Sequence, residues 1–211
     1  MLDILMRGGF MMIPILLGSV LALAIIIERF WSLQRTKVFP EGFLVRMDEM
    51  MKSSRKAEAL SACRENESAI SRILEAGVQS GDRPRTEIRE ALQVAGRSEA
   101  MLLNRWVGTL GAVAALEPLM GLLGTVLGLI ESFRDLSTST VVGDPSVVAS
   151  GVWQALITTA AGLIIAIPTF AMYRYFRSRV SLLVMDMEQS AFSLLQQLSQ
   201  PRQQPEAGDQ T

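Results

Sequence analysis

Residues 106–130 read WVGTLGAVAALEPLMGLLGTVLGLI, 25 residues with a single charge, Glu117. A membrane span needs about 20 mostly apolar residues, because roughly 30 Å of hydrocarbon is crossed at about 1.5 Å per helical residue. Two further stretches meet that requirement: Gly8 to Ile27 is 20 residues without a charge, and Pro145 to Tyr173 is 29 residues with none. Lipid offers the backbone no hydrogen-bond partner, so each stretch is expected to be a helix. The fold class that follows is an all-α integral membrane protein, with three transmembrane helices and long cytoplasmic helical extensions. The first stretch has only Arg7 as a charged flank and runs into Glu28-Arg29-Phe30-Trp31 instead of a small-x-small cleavage site. It reads as a retained anchor and not as a signal peptide.

The rest of the composition excludes more than it assigns. The chain has 211 residues, a net charge of −1 and a mean hydropathy of +0.30. A nucleic-acid binder would carry a basic excess, so no nucleic-acid partner is expected. There is no His and one Cys, Cys63, which removes His/Cys zinc sites, Cys–His nucleophiles, Ser-His-Asp triads and intrachain disulfides together. Cys63 lies in a charged segment and reads as a bystander thiol. No phosphate-binding glycine loop is present. The spans hold neither paired Asp, nor a Ser–His pair, nor a metal set, so an enzyme working in the membrane is not expected, and neither is a cofactor.

Lys and Arg near the span ends set the orientation. Arg29, Arg35 and Lys37 follow the first span, Arg97 and Arg105 precede the second, and Arg174, Arg177 and Arg179 follow the third; the other side has only Arg7 and Arg134. The N-terminus is therefore expected outside and the C-terminus in the cytoplasm. Trp31, Trp106, Tyr173 and Tyr175 gather at the cytoplasmic ends, where amphipathic rings favour the headgroup region. The expected organisation is a periplasmic N-terminus (1–9), a first transmembrane helix (10–30), a cytoplasmic helical region (31–105), a second transmembrane helix (106–133), a periplasmic loop (134–150), a third transmembrane helix (151–173), a cytoplasmic helix (174–199) and a disordered tail (200–211). Within the cytoplasmic region helices are expected near 41–65, 67–77 and 84–105. The last carries an apolar stripe of Ile88, Leu92, Ala95 and Leu102/Leu103 into the second span. A similar stripe of Leu182, Leu183, Met187, Phe192, Leu194 and Leu195 follows the third. The turn chemistry of Gly143-Asp144-Pro145 marks the periplasmic loop.

The second and third spans carry more than bulk apolar residues. Gly108, Ala112, Ala115, Gly121, Gly124 and Gly128 recur on the second; Gly151, Ala155, Gly162 and Ala166 recur on the third. Small residues on one face let backbones approach closely, since packing holds helices together in lipid. Gly121, Gly124, Gly128 and Gly162 are the candidate packing positions. Thr125, Gln154, Thr158 and Thr159 add a neutral polar strip beside them. A Thr hydroxyl can satisfy itself on its own helix, but a Gln amide cannot, and the strip fits a face that lines a channel or grips a polar partner helix. Glu117 is the one ionisable group deep in a span. A charge at the bilayer centre costs ~2.5 kcal/mol or more, so the group must be neutralised, paired or wet. Either it accepts protons, or it lies nearer the cytoplasmic end, hydrated or paired with a neighbouring Arg.

At these residues the chain resembles a known family. EPLMGLLGTVLG at 117–128 is similar to the second-span signature PLLGLLGTVxG of the MotA/TolQ/ExbB proton channel family, and GVWQALITTAAGLIIAIP at 151–168 to its third-span signature GIxEALxxTAxGLxxAIP. GGFMMIPILLGSVLALAIIIERFW resembles the family's first span. The resemblance implies a homo-oligomeric ring, a pentamer in known relatives, in the bacterial inner membrane among its lipids. It implies a central pore lined by the second and third spans and single-span partners of ExbD/TolR type inside it. A TonB-like energy transducer is implied as a further partner. Proton flow would move ring against partner and energise a periplasmic or outer-membrane process. Thr125 and Thr159 match the signature threonines and carry over as pore-lining residues of the ion pathway, with Gln154, Thr158 and Glu117 as further candidates. One departure stands out: Gln154 occupies the place of the third-span Glu, and Gln has no titratable proton. The partner's carboxyl alone, or Glu117, would then carry the ion. The alternative is a non-conducting scaffold that binds a single-span partner helix.

Overall fold

A computed structural model describes residues 10–53, 55–138 and 145–199, with the backbone alone at 138, 145–148 and 199. Among the described residues are seven helices: α1 (Met12–Ser32), α2 (Arg35–Val38), α3 (Glu41–Lys52), α4 (Lys56–Glu65), α5 (Ala69–Gln79), α6 (Arg85–Thr138) and α7 (Pro145–Ser199). Windows of α1, α6 and α7 reach mean hydropathies of 2.1, 1.9 and 2.0. The protein is all-α, with three membrane-spanning helices and long helical extensions. The N-terminal segment 1–9 and the expected disordered tail at 200–211 lie outside the described residues.

The helix expected over 41–65 is two helices. Ser53 ends α3 with ψ of 7°, its N–H still bonded to the Glu49 carbonyl at 3.0 Å; serine hydroxyls compete for backbone groups and favour helix ends. The helix expected at 67–77 is α5, opened by Ser68, whose hydroxyl accepts from the Ser71 N–H at 3.3 Å. The expected extension from 84 into the second span is α6, unbroken from Arg85 through Pro118 to Thr138. Residues 134–138 belong to α6, and α7 begins at Pro145, where a missing N–H leaves no helical bond unmade. Gly143 and Asp144 lie outside the described residues.

The helices divide into two compact units. The first, Met1–Trp31 with Asn104–Ser178, contains the membrane spans. Here α1 buries Met12, Ile15, Ala22, Ile25 and Arg29, at steps of three, four or seven residues. Against it, α6 and α7 run antiparallel through a series of small-residue contacts. A Cβ on Gly128 would lie 3.2 Å from that of Ala155, one on Gly121 would lie 3.0 Å from the Thr158 carbonyl oxygen, and one on Gly162 would lie 2.7 Å from the Glu117 carbonyl oxygen. Gly111 packs under the Tyr173 ring in the same way. Phe176 is buried at the end of this unit, edge-on to Phe30 at 5.3 Å. Only 22–33% of each span's apolar window is buried within the chain. Most of the apolar surface is therefore left for lipid or other polypeptides.

The second unit is Ser32–Leu103 with Arg179–Thr211. Its centre is α5, which buries Ile70, Ile73, Leu74 and Val78 and brings Gly77 under the methyl groups of Leu92 and Leu194. Ile88, Leu92 and Leu103 are buried as the stripe on α6 required, and Leu183, Met187, Leu194 and Leu195 on α7; Leu102, Leu182 and Phe192 face outward instead. Arg72 donates two hydrogen bonds to the buried Glu99 carboxylate, at 2.7 and 2.6 Å. Those bonds raise the pKa of Arg72 and give the buried charge the partner it needs.

Two outcomes follow from this packing. Gly162→Val, which drives a side chain into the Glu117 backbone, should lower stability by about 1–3 kcal/mol, read as a lower melting temperature of the solubilised protein. Gly108→Ala, with no atom within 4 Å of the new Cβ, should leave stability unchanged or raise it by up to about 1 kcal/mol. Cys63 is buried beside Met47, its sulfur 4.0 Å from the thioether. Burial, with the charge of Glu75, pushes its thiol from 9.0 up to about 11. Maleimide should therefore leave Cys63 unmodified in the folded protein at neutral pH and label it fully after denaturation. Because the folded state holds this proton more tightly, its share of stability is complete below pH 9.0 and is lost as pH rises toward about 11. Cys63→Ala should remove that alkaline component.

Candidate functional site

The site lies where α6 and α7 come closest. Gly121 has no side chain, so Thr159 of α7 can reach across to it: the Thr159 hydroxyl donates to the Gly121 carbonyl at 3.0 Å. Thr125, one turn further along α6, has its hydroxyl 3.2 Å from the same carbonyl and 3.2 Å from the Ala155 carbonyl of α7. The two hydroxyls also hydrogen-bond to each other. The two threonines singled out by the sequence signatures thus meet in one cluster of four oxygens, two hydroxyl and two carbonyl. Both residues are half-buried within the chain.

The chemistry of this cluster is that of neutral oxygen. Each hydroxyl has one proton to donate and can accept in turn. Two protons are therefore shared among more acceptor positions than they can fill, and the pattern can switch without moving a heavy atom far. Such a cluster can pass a proton along hydrogen bonds or coordinate a dehydrated cation through oxygen. It cannot hold a proton of its own at neutral pH. Among the described residues there is no group of three His, Cys, Asp or Glu side chains placed for a metal.

Thr158 adjoins the cluster through a shared acceptor, the Ala155 carbonyl. It is buried, its hydroxyl donates to the Ala155 carbonyl at 2.7 Å, and its side chain fills the space over Gly124. Gln154 is half-buried one turn away, its carbonyl 3.5 Å from the Thr158 hydroxyl. Gly128 seats Ala155, and Gly162 seats the Glu117 backbone. All four candidate packing glycines are thus in tight contacts.

Glu117 is not brought to Gln154. Its carbonyl lies at Gly162, eight residues along α7 from Gln154, or about 12 Å at the helical rise. Among the described residues it forms no ion pair. It is fully buried, with no hydrogen-bond partner on either carboxylate oxygen, and its side chain lies against Gly18 of α1. Gly18 is a site residue that sequence reasoning missed. So is Ser132, buried against Gly151 with its hydroxyl on the Gly128 carbonyl at 2.7 Å. Small-residue periodicity along α6 and α7 gives no sign of Gly18, because its partner is a single side chain on another helix. Gly151 does belong to that periodicity, and it points to Ser132 only once the helix register is known.

Known proteins resemble this chain in sequence. Residues 65–189 match the profile of the MotA/TolQ/ExbB proton channel family. A Synechocystis sp. protein named as ExbB-like 3, of biopolymer transport, is 38% identical over 82% of this chain and 83% of its own. The Tol-Pal system protein TolQ of Pseudomonas aeruginosa is 28% identical over 82% of this chain and 79% of its own. The biopolymer transport protein ExbB of Salmonella typhimurium is 35% identical over 59% and 50%. The matched residues include Glu117, Thr125, Gln154 and Thr159 together. The chain belongs to the MotA/TolQ/ExbB proton channel family.

Proposed function

We propose that this multi-pass membrane protein is the ring-forming subunit of an ion-driven motor complex that energises a periplasmic or outer-membrane transport process. The observation that carries the proposal is the pairing of the Thr125 and Thr159 hydroxyls over the Gly121 and Ala155 carbonyls. Polar groups held together inside a span are expensive and mark ion routes. The relatives named for biopolymer transport and the Tol-Pal system supply the class of work. Spans that bury only 22–33% of their apolar windows within the chain leave wide faces for neighbouring copies, in keeping with a homo-oligomer, a pentamer in our reading. The basic residues beside the spans support an inner-membrane topology with the N-terminus periplasmic and the C-terminus cytoplasmic. On that topology the spans are 10–30, 106–133 and 151–173.

The moving partner in this reading is a single-span protein of ExbD/TolR type that brings the carboxyl which takes up and releases the proton. Gln154 both donates and accepts hydrogen bonds. It would hold that carboxyl in either protonation state while the ring turns past it. A TonB-like transducer would receive the work. The second reading is a non-conducting scaffold for the same partner helix, favoured by one observation: the side chain at the third-span acidic position of the family signature is here the untitratable Gln154.

Ion flux into liposomes holding this chain and its partner separates the two readings: the motor subunit conducts and the scaffold does not. Thr125→Val and Thr159→Val each remove a hydroxyl at nearly constant volume. Each should reduce flux about tenfold, the equivalent of one hydrogen bond at ~1.4 kcal/mol, with little change in melting temperature. Full flux in both variants would place the route elsewhere. Gln154→Leu should lower the amount of partner that co-purifies, because the partner's carboxyl loses its polar contact in an apolar pore.

A further inference from the structure

The spans contain a carboxyl that the Thr125–Thr159 crossing leaves unused. Glu117 is fully buried within the chain, and neither of its carboxylate oxygens has a hydrogen-bond partner. The space it occupies exists because residue 18 is glycine: a Cβ there would overlap Oε1 and lie 3.0 Å from Cδ. Gly18 is near the middle of the uncharged stretch 8–27, and Glu117 near the middle of 106–130. The contact is therefore deep in the membrane by the reckoning of both helices.

No charge answers it. The first span carries none from Gly8 to Ile27 and the third none from Pro145 to Tyr173; on α6 the nearest charged residues are Arg105 and Glu131, about 18 and 21 Å away along the helix. From α1 the residues one turn either side of Gly18 are the apolar Ile15 and Ala22, both buried. From α7 the neighbour is Gly162, which seats the Glu117 carbonyl. A carboxylate ion here would have neither water, nor a donor, nor a counter-ion, and a bound cation would find too few oxygens to replace its hydration shell. The neutral acid is the form that such surroundings accept.

We propose that Glu117 is a proton-binding site at the contact of the first and second spans, filled while Gly18 rests on the carboxyl and emptied when the two helices part. On parting, water reaches the carboxyl, the O–H bond breaks, and the proton passes to water as hydronium, leaving the carboxylate hydrated. On closure the same proton transfer runs in reverse before the glycine can return. The ligand is the proton, and the first span becomes the element whose position depends on it. The site stands on the geometry of α1 and α6, and does not require the Thr125–Thr159 crossing to conduct.

Infrared difference spectra of the full chain in lipid, wild type minus Glu117→Gln, test this directly. At neutral pH the expected difference is the carbonyl stretch of a protonated carboxylic acid in an apolar site. Finding the carboxylate stretch in its place would overturn the proposal, as would loss of the acid band on exchanging potassium for sodium, which would assign a metal cation. Gly18→Ala pushes the helices apart and should make the acid band titrate at least about one pH unit below wild type. Should that variant fail to assemble, Glu117→Asp withdraws the carboxyl from Gly18 by one methylene, leaves room for water, and should shift the titration the same way. An unchanged titration in whichever variant assembles would overturn the coupling to α1. Flux measurements play no part in these readings, so failure here is distinct from failure of the motor assignment.

Discussion

The close approach of two helix backbones, α6 and α7, is the condition on which the membrane unit rests. Hydrocarbon gives apolar side chains no reason to prefer each other over lipid, so helices hold together through contact at short range. At Gly162 a single added carbon would stand 2.7 Å from the Glu117 carbonyl oxygen, and at Gly121 3.0 Å from that of Thr158. A side chain at Gly162 would force the backbones apart, and one at Gly121 would press on the facing helix. The same closeness lets the Thr159 hydroxyl cross from one helix to the carbonyl of Gly121 on the other. Larger residues at 121 would separate the helices and leave each threonine to bond to its own backbone.

This dependence explains why polar groups are tolerated where they stand. A threonine in a span ordinarily spends its hydroxyl on the carbonyl one turn back, as Thr158 and Thr169 do at 2.7 Å. Thr125 and Thr159 have additional partners on the opposite helix, so the bonding of each depends on the other. The helix register then sets depth. With Gly128 on Ala155 and the Glu117 backbone on Gly162, Gln154 and Glu117 fall at different levels of the same pair. The third-span signature that this chain resembles has Glu where Gln154 stands, and Glu117 does not occupy the vacated place.

The three spans, their order and the long helices that continue from α6 and α7 were legible in the sequence, because hydrocarbon thickness and backbone satisfaction leave few alternatives for uncharged runs of 20 to 29 residues. The glycines were legible as a class, through their spacing. The pairing of Thr125 with Thr159 came from the family signatures, whereas residue spacing alone placed each threonine on a helix face without saying that the faces meet. Glu117 read as ambiguous because depth in a sequence is counted from the ends of an apolar run, and one residue cannot reveal what lies opposite. Its partner, Gly18, carries no chemistry of its own and becomes informative only beside a carboxyl. The break at Ser53 was missed for a plainer reason. The segment 41–65 is rich in helix formers, and one helix or two satisfy the same composition.

The neutrality of the polar side chains on α6 and α7 has a mechanical consequence for the proposed motor. A charged group lining a path would hold a passing counter-charge and oppose its onward movement, since in low dielectric an ion pair is strong once formed. Hydroxyls and an amide can bind either protonation state of a carboxyl, because they can donate to the ion and accept from the acid. In the proposed motor, Thr125, Gln154 and Thr159 would offer a titrating group neutral contacts that hold no counter-charge. An ionised Glu117 on that surface would repel the carboxylate form of such a group. Its burial against Gly18, on the contact with the first span, keeps the one span carboxyl out of the threonine cluster. The small size of Gly18 thus matters to the cluster as well: by giving the carboxyl somewhere to lie, it leaves the crossing of α6 and α7 to neutral oxygen.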